Sequence, residues 1–198
     1  MRILAIYRYY WPDTAPYGRI LRLILGKLVS NGHSATVFSG FPAYGSSAKK
    51  YKKLRCRQMD SGVHIRRVRL FPESRRKPLI RILNYCLFIL MAVFYAWRHR
   101  KEYDLVWVNS FPPVAMGFCA RIIRILTGLG YLYHCQDVHP ESLNIAGRLQ
   151  PGFFCQSLIN VDKTNCLDAL WCVTLSEDMK ETLCRRGVDS EKVFVINN

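Results

Sequence analysis

The sequence predicts an α/β protein built on a parallel sheet with helices on both faces. Three observations carry that expectation. Short apolar runs recur along the chain without polar alternation: RILAIY at 2–7, ATVFS at 35–39, YDLVWVN at 103–109, YLYHCQ at 131–136, ALWCVTL at 169–175 and KVFVI at 192–196. Segments of helical period separate most of them, and strands apolar on both sides belong to sheets covered on both faces. At 198 residues and 50% apolar, the chain is long enough for a full core and fits one domain of roughly 100–200 residues.

After the first strand comes a long polar loop, RYYWPDTAPYG. Arg19–Ser30 then carries apolar residues at 20, 21, 23, 24, 25, 28 and 29, a helical period that Asn31-Gly32 stops. Gly40-Phe41-Pro42 ends the second strand. Val63–Leu70, VHIRRVRL, alternates apolar and basic residues, which reads as an exposed or edge strand. Tyr85–Trp97, YCLFILMAVFYAW, is a charge-free helical run. Ser110-Phe111-Pro112-Pro113 terminates the next strand, Val114–Leu126 is helical, and Thr127-Gly128-Leu129-Gly130 breaks it. Residues 152–162 read as a helix. Ser176 is placed to cap the N-terminus of EDMKETLCRRG, with Gly187 as its stop.

Charge is distributed unevenly. Of a formal net charge of +15, the stretch Lys49–Arg81 contributes +11, from thirteen Lys/Arg against Asp60 and Glu73. Such a block suits a polyanionic neighbour. With the apolar helix it forms a basic and apolar insert at 49–101, and the helix can be read three ways. As a span, its thirteen charge-free residues cover roughly 20 Å of the roughly 30 Å hydrocarbon layer, with basic flanks at both ends. It can instead be a buried core helix, or a helix at an anionic leaflet with Tyr85, Tyr95 and Trp97 at the interface. Nucleic acid is not expected, because no helix-turn-helix spacing, RNP-type aromatic motif or zinc finger accompanies the charge. The eight cysteines form no CxxC or CxxxC pair, so they read as reduced thiols of an intracellular protein and not as metal ligands.

In open α/β sheets, ligands bind beyond the carboxyl ends of the strands. Three loops of unusual chemistry follow strands there: Arg8–Gly18, Asn109–Pro113 and Asp137–Ser142. The first has one glycine and no GxGxxG, and no GxxxxGK[ST] occurs anywhere, so neither a dinucleotide fingerprint nor a P-loop is present.

Five pieces in order resemble the N-terminal, acceptor-binding half of a GT-B glycosyltransferase of family 4: RILAIYRYYWPDTAPYGRILRLILGKLVSNGHSATVFSG, YDLVWVNSFPP, CQDVHPESL, ALWCVTLSEDM and RRGVDSEKVFVINN. These pieces also resemble bacterial transferases of surface polysaccharide and lipopolysaccharide assembly, of the colanic-acid and O-antigen kind. Two departures stand out. The family's Gly-Gly in the first loop is Tyr17-Gly18 here, and the Trp of its WPES motif is His139.

The resemblance implies a Rossmann-like domain over 1–198, the first half of a GT-B architecture, with the C-terminal donor domain absent. The chain would then be a truncated product or one subunit of a two-chain enzyme, inactive or nearly so alone. The implied reaction is retaining glycosyl transfer from a nucleotide-sugar donor to a polyprenyl-diphosphate-linked glycan acceptor, with no metal cofactor. It would run in the cytoplasm, peripheral to the inner face of the cell membrane. Asp137 would accept or orient the acceptor hydroxyl proton, or simply cap a turn. His139, held extended by Pro140, would project into the cleft or lie at the surface, and Glu141 would bond acceptor hydroxyls or cap the next helix. Gly18 and Arg19 open a helix whose N-terminus can face a donor phosphate, and Arg19 can equally be a solvated first-turn residue. Ser110, Pro112 and Pro113 would wall the acceptor pocket. The non-enzymatic rival is a basic α/β module that binds membrane or nucleic acid without catalysis.

Overall fold

The computed structural model describes residues 1–43, 54–72, 78–137 and 152–196. The chain divides into two compact units, Met1–Leu105 and Val106–Asn198. Both are α/β and Rossmann-like, with sheets that are parallel except at one edge.

In the first unit, β1 (Arg2–Ile6), β2 (Ser34–Gly40), β3 (Arg57–Asp60) and β4 (Val63–Val68) lie in the order β3-β4-β2-β1. β1 pairs parallel with β2, Leu4 opposite Thr36, and β2 pairs parallel with β4, Val37 opposite Ile65. Leu4, Ala5, Val37 and Ile65 are at most 1% exposed, the burial on both faces that continuous apolar strands require. Helix α1 (Pro16–Ser30) begins with Pro16 in its first turn, where a missing N–H costs nothing. It ends at Asn31 and Gly32, whose φ of +85° lets the Gly32 and His33 N–H groups turn back onto the Val29 and Leu28 carbonyls.

β3 has no counterpart in the sequence reading, and it corrects the placement of 63–70. β3 pairs antiparallel with β4 through a two-residue turn at Ser61-Gly62, both at positive φ, so β3 is the edge and β4 lies inside it. Arg67 of β4 accordingly faces inward at 4% exposed, while Arg66 is half-buried and His64 exposed.

Helix α2 (Pro78–Arg98) is longer than the charge-free run that signals it. Its buried residues are Asn84, Phe88, Ala92 and Ala96, a stripe of i, i+4 spacing. Phe88 and Tyr95 stack on Phe38 of β2, with ring centroids 5.6 and 4.9 Å away. Asn84, the polar interruption of the apolar run, faces this side: its side-chain amide accepts from the Phe71 N–H (3.0 Å) and donates to the Phe71 carbonyl (2.9 Å). Tyr85 meets Tyr9 hydroxyl to hydroxyl at 3.0 Å.

In the second unit, β5 (Leu105–Asn109), which starts at the boundary, is followed by β6 (Gly130–His134), β7 (Trp171–Thr174) and β8 (Val193–Val195) in that spatial order. β6, β7 and β8 pair in parallel register. α3 (Ala115–Thr127) stops at Gly128, φ +75°. α4 spans Phe153–Leu167, five residues beyond the expected end. α5 (Glu177–Arg185) starts as the sequence indicates, the Ser176 hydroxyl accepting from the Met179 N–H at 3.3 Å. All eight cysteines are free thiols.

Candidate functional site

The loop after β1 is built from inside the first unit. The Arg8 carbonyl accepts from the Gly40 N–H (2.9 Å) and the Ser39 hydroxyl (3.0 Å), pinning the loop to the end of β2. The Arg8 side chain is buried, with its guanidinium over the rings of Tyr85 (4.4 Å) and Tyr9 (5.0 Å). The Asp13 carboxylate, also buried, accepts from the Thr14 N–H (2.8 Å) and the Ala43 N–H (2.9 Å). Arg67 reaches across from β4 to donate to the Trp11 carbonyl at 2.9 Å.

These contacts frame a cleft of about 400 Å³ walled by Trp11, Pro12, Asp13, Thr14, Gly18, Arg19, Arg22 and Leu23. Gly18 and Arg19 therefore do sit together, Gly18 buried and Arg19 exposed at the rim. Arg22 is committed elsewhere. It donates to both Asp60 carboxylate oxygens, at 2.6 and 2.9 Å, and stacks 4.8 Å over Trp11. A smaller pocket of about 180 Å³ lies behind the loop, lined by Arg8, Phe41, Pro42, Ala43, Leu70, Phe71 and Pro72.

The second unit holds Ser110, Pro112, Pro113 and Asp137. The Ser110 N–H donates to the His134 carbonyl (3.1 Å), and the Ser110 hydroxyl accepts from the Gln136 N–H (2.9 Å). The ends of β5 and β6 are thus stitched together, and exposed Asp137 follows directly on the stitch. Pro112 and Pro113 are half-buried on the same loop as Ser110. His139 and Glu141 lie outside the described residues.

Two residues that sequence reading passed over, Asn165 and Gly117, shape this edge. Val114 has φ +63°, a left-handed angle that strains a β-branched residue. Buried Asn165 of α4 holds it there, its side-chain N–H donating to the Val114 carbonyl at 3.0 Å. Gly117 makes the reach possible, since a Cβ at that position would lie 2.5 Å from the Asn165 amide nitrogen. Asn109, last in β5, is 1% exposed, and neither its amide nitrogen nor its oxygen meets a hydrogen-bond partner among the described residues. A buried amide of that kind is suited to a ligand or a bound water. The signal for it was the polar residue closing an apolar strand.

His134 is a core histidine, fully buried and edge-on to Trp107 at 5.9 Å. Burial pushes its pKa down to about 4 from an ordinary 6.5. The folded ring stays neutral while the unfolded chain takes up a proton below pH 6.5, so the His134 contribution is fully present above pH 6.5 and is lost as pH falls towards 4. The loss should reach about 3 kcal/mol. The difference in urea unfolding free energy between the parent and His134→Gln should change with this slope from pH 7 to pH 4.5. An equal slope in the variant assigns the acid sensitivity to other groups.

A parallel α/β sheet with its polar loops beyond the strand ends has the fold of one half of a GT-B glycosyltransferase. The glycosyl transferase 4-like domain matches residues 17–198, and the chain belongs to that family. It is similar in structure to Anabaena HepE in complex with UDP and glucose, at 18% identity and a TM-score of 0.57, over 100% of this chain and 44% of that one. It is also similar to sucrose-phosphate synthase from Thermosynechococcus elongatus (14% identity, TM-score 0.67, 100% and 48%). A third similar structure is the α,α-trehalose 6-phosphate synthase of Burkholderia multivorans (12% identity, TM-score 0.55, 94% and 43%). The chain spans less than half the length of each of these proteins. No curated protein matches its sequence.

Proposed function

We propose that this chain is the acceptor-binding half of a retaining glycosyltransferase that moves a sugar from a nucleotide-sugar to a lipid-linked glycan acceptor, a polyprenyl diphosphate, in surface polysaccharide assembly. It works in the cytoplasm at the inner face of the cell membrane, without a metal cofactor, and needs a donor domain to turn over. The observation that carries the reading is the joined edge of β5 and β6 in a glycosyl transferase 4-like domain. There the hydrogen bond from the Gln136 N–H to Ser110 sets Asp137 beside the Ser110–Pro113 loop. The structurally similar HepE binds UDP and glucose, which supports a nucleotide-sugar donor. In this reading Asp137 orients the acceptor hydroxyl, His139 and Glu141 assist it, Ser110, Pro112 and Pro113 wall the acceptor, and Gly18 and Arg19 face the donor phosphates.

The test is transfer of labelled sugar from nucleotide-hexoses to a polyprenyl-diphosphate glycan, by the chain alone and together with a GT-B donor domain. The pair is expected to transfer and the chain alone is not. Asp137→Ala should lower the rate about a hundredfold, the scale of a positioned acid–base group, with an unchanged unfolding midpoint. A pair that transfers nothing from any nucleotide-hexose sinks the proposal. An Asp137→Ala pair as fast as the parent removes Asp137 from the reaction.

A further inference from the structure

The face of α2 turned away from the sheet is apolar from end to end. Leu79, Leu83, Leu90, Phe94 and Trp97 are 78, 48, 65, 63 and 45% exposed. With Cys86, exposed as well, they recur at intervals of three and four, one helical stripe about 27 Å long. At 100° per residue this stripe lies opposite Asn84, Phe88, Ala92 and Ala96, which seat the helix on the protein. Exposed patches of this continuity mark interaction surfaces.

Charge identifies the occupant. Exposed Arg98, Arg100 and Lys101 stand at the C-terminal end of the stripe, with the Arg100 guanidinium 6.0 Å over the Trp97 ring. The whole chain carries +15, which disfavours a second copy of itself on this face. Apolar side chains with a Trp and arginines at the rim suit the boundary between acyl chains and anionic headgroups.

We propose that α2 docks the protein on an anionic lipid surface, lying parallel to the membrane with Leu79, Leu83, Leu90, Phe94 and Trp97 immersed and Arg98, Arg100 and Lys101 on the headgroups. The helix is long and apolar enough to span a bilayer. Crossing would strip Asn84 from its two hydrogen bonds to Phe71 and Phe88 and Tyr95 from Phe38, so the helix lies on the surface. The proposal deepens the membrane part of the function just given and rests on it only there. Vesicle flotation uses neither donor nor acceptor, so its failure and a failure of sugar transfer are separate results.

The experiment is flotation of the chain with phosphatidylcholine vesicles with and without phosphatidylglycerol, paired with Trp97 fluorescence against lipids brominated on their acyl chains. Binding is expected only to the phosphatidylglycerol vesicles, with Trp97 emission quenched and that component missing in Trp97→Phe. The double variant L90E/F94E should bind about tenfold less, with an unchanged unfolding midpoint because both positions are exposed. Three results overturn the proposal: no flotation, L90E/F94E binding as tightly as the parent, or a dimer in solution that L90E/F94E separates.

Discussion

Replacing Asp162 by alanine should cost about 3–5 kcal/mol of stability, the largest effect expected of any single change in the second unit. Asp162 and Arg186 are 5% and 8% exposed at their side chains and pair at 2.9 Å, while the Tyr133 hydroxyl donates to the other carboxylate oxygen at 2.9 Å. Burial pushes the Asp162 carboxyl up to about 7, and the Tyr133 and Arg186 contacts oppose that push. The two halves of the pair should therefore fail unequally. Without Asp162 the guanidinium stays charged, since arginine does not deprotonate in proteins. Without Arg186 the carboxyl can escape by taking a proton, so Arg186→Met should cost less. Parent and Arg186→Met should lose stability in parallel as pH rises from 4 to about 7, where the parent carboxyl ionises. Above that the variant, its carboxyl raised further, should go on losing stability and its deficit should grow. Replacing both charges, D162L/R186M, should recover much of the loss. Urea unfolding of the parent and the three variants at pH 5, pH 7 and about pH 8.5 decides it. An Arg186→Met protein as unstable as Asp162→Ala at pH 5 contradicts the proton-escape argument.

Neither partner of that pair was legible in the sequence. Asp162 sat at the expected end of a helix that in fact continues to Leu167, and Arg186 sat among the charged residues of a helix terminus. Nothing local joins positions 24 apart; the packing of α4, α5 and β6 does. What was legible follows from period. The parallel strands read as apolar runs because both their faces are covered, and caps at Ser176, Asn31-Gly32 and Gly128 act through their own backbone neighbours. β3 was missed because Arg57–Asp60 has no apolar face to display, and only the Ser61-Gly62 turn announces it. Arg67 was misplaced for a related reason. An arginine in an alternating strand reads as solvated, yet hydrogen bonds to the Trp11 carbonyl and to Gln58 hold its guanidinium inside. Of the candidate site, the loops were legible as polar breaks after strands. Asn165 and Gly117 were not, since their roles exist only once α4 lies against the loop after β5. The family resemblance reached further than periodicity because an ordered set of motifs encodes three-dimensional neighbours that spacing alone does not.

Gly18→Ala should destabilise the first unit by about 2 kcal/mol with no ligand present, the cost of forcing atoms into a filled site. A Cβ at position 18 would lie 2.4 Å from the Tyr9 carbonyl oxygen, closer than packed atoms approach. That oxygen has little room to retreat. The chain on one side is held through the Arg8 carbonyl by Gly40 and Ser39, on the other the Tyr10 N–H donates to the Ser39 hydroxyl, and the Tyr9 ring is tied to Tyr85. Nor can α1 swing away cheaply, because Leu21 and Leu25 are buried one and two turns on. The requirement for glycine thus arises from the loop crossing the first turn of α1, before any phosphate is considered. Thermal and urea unfolding of Gly18→Ala measures the steric part, and UDP binding to the same protein measures the rest. A variant as stable as the parent that has lost UDP binding would mean that close approach of a donor phosphate, and not the Tyr9 carbonyl, is what keeps position 18 bare. A less stable variant whose folded fraction still binds UDP would assign glycine to the architecture of the cleft and leave Arg19 and the helix N-terminus to meet the phosphate.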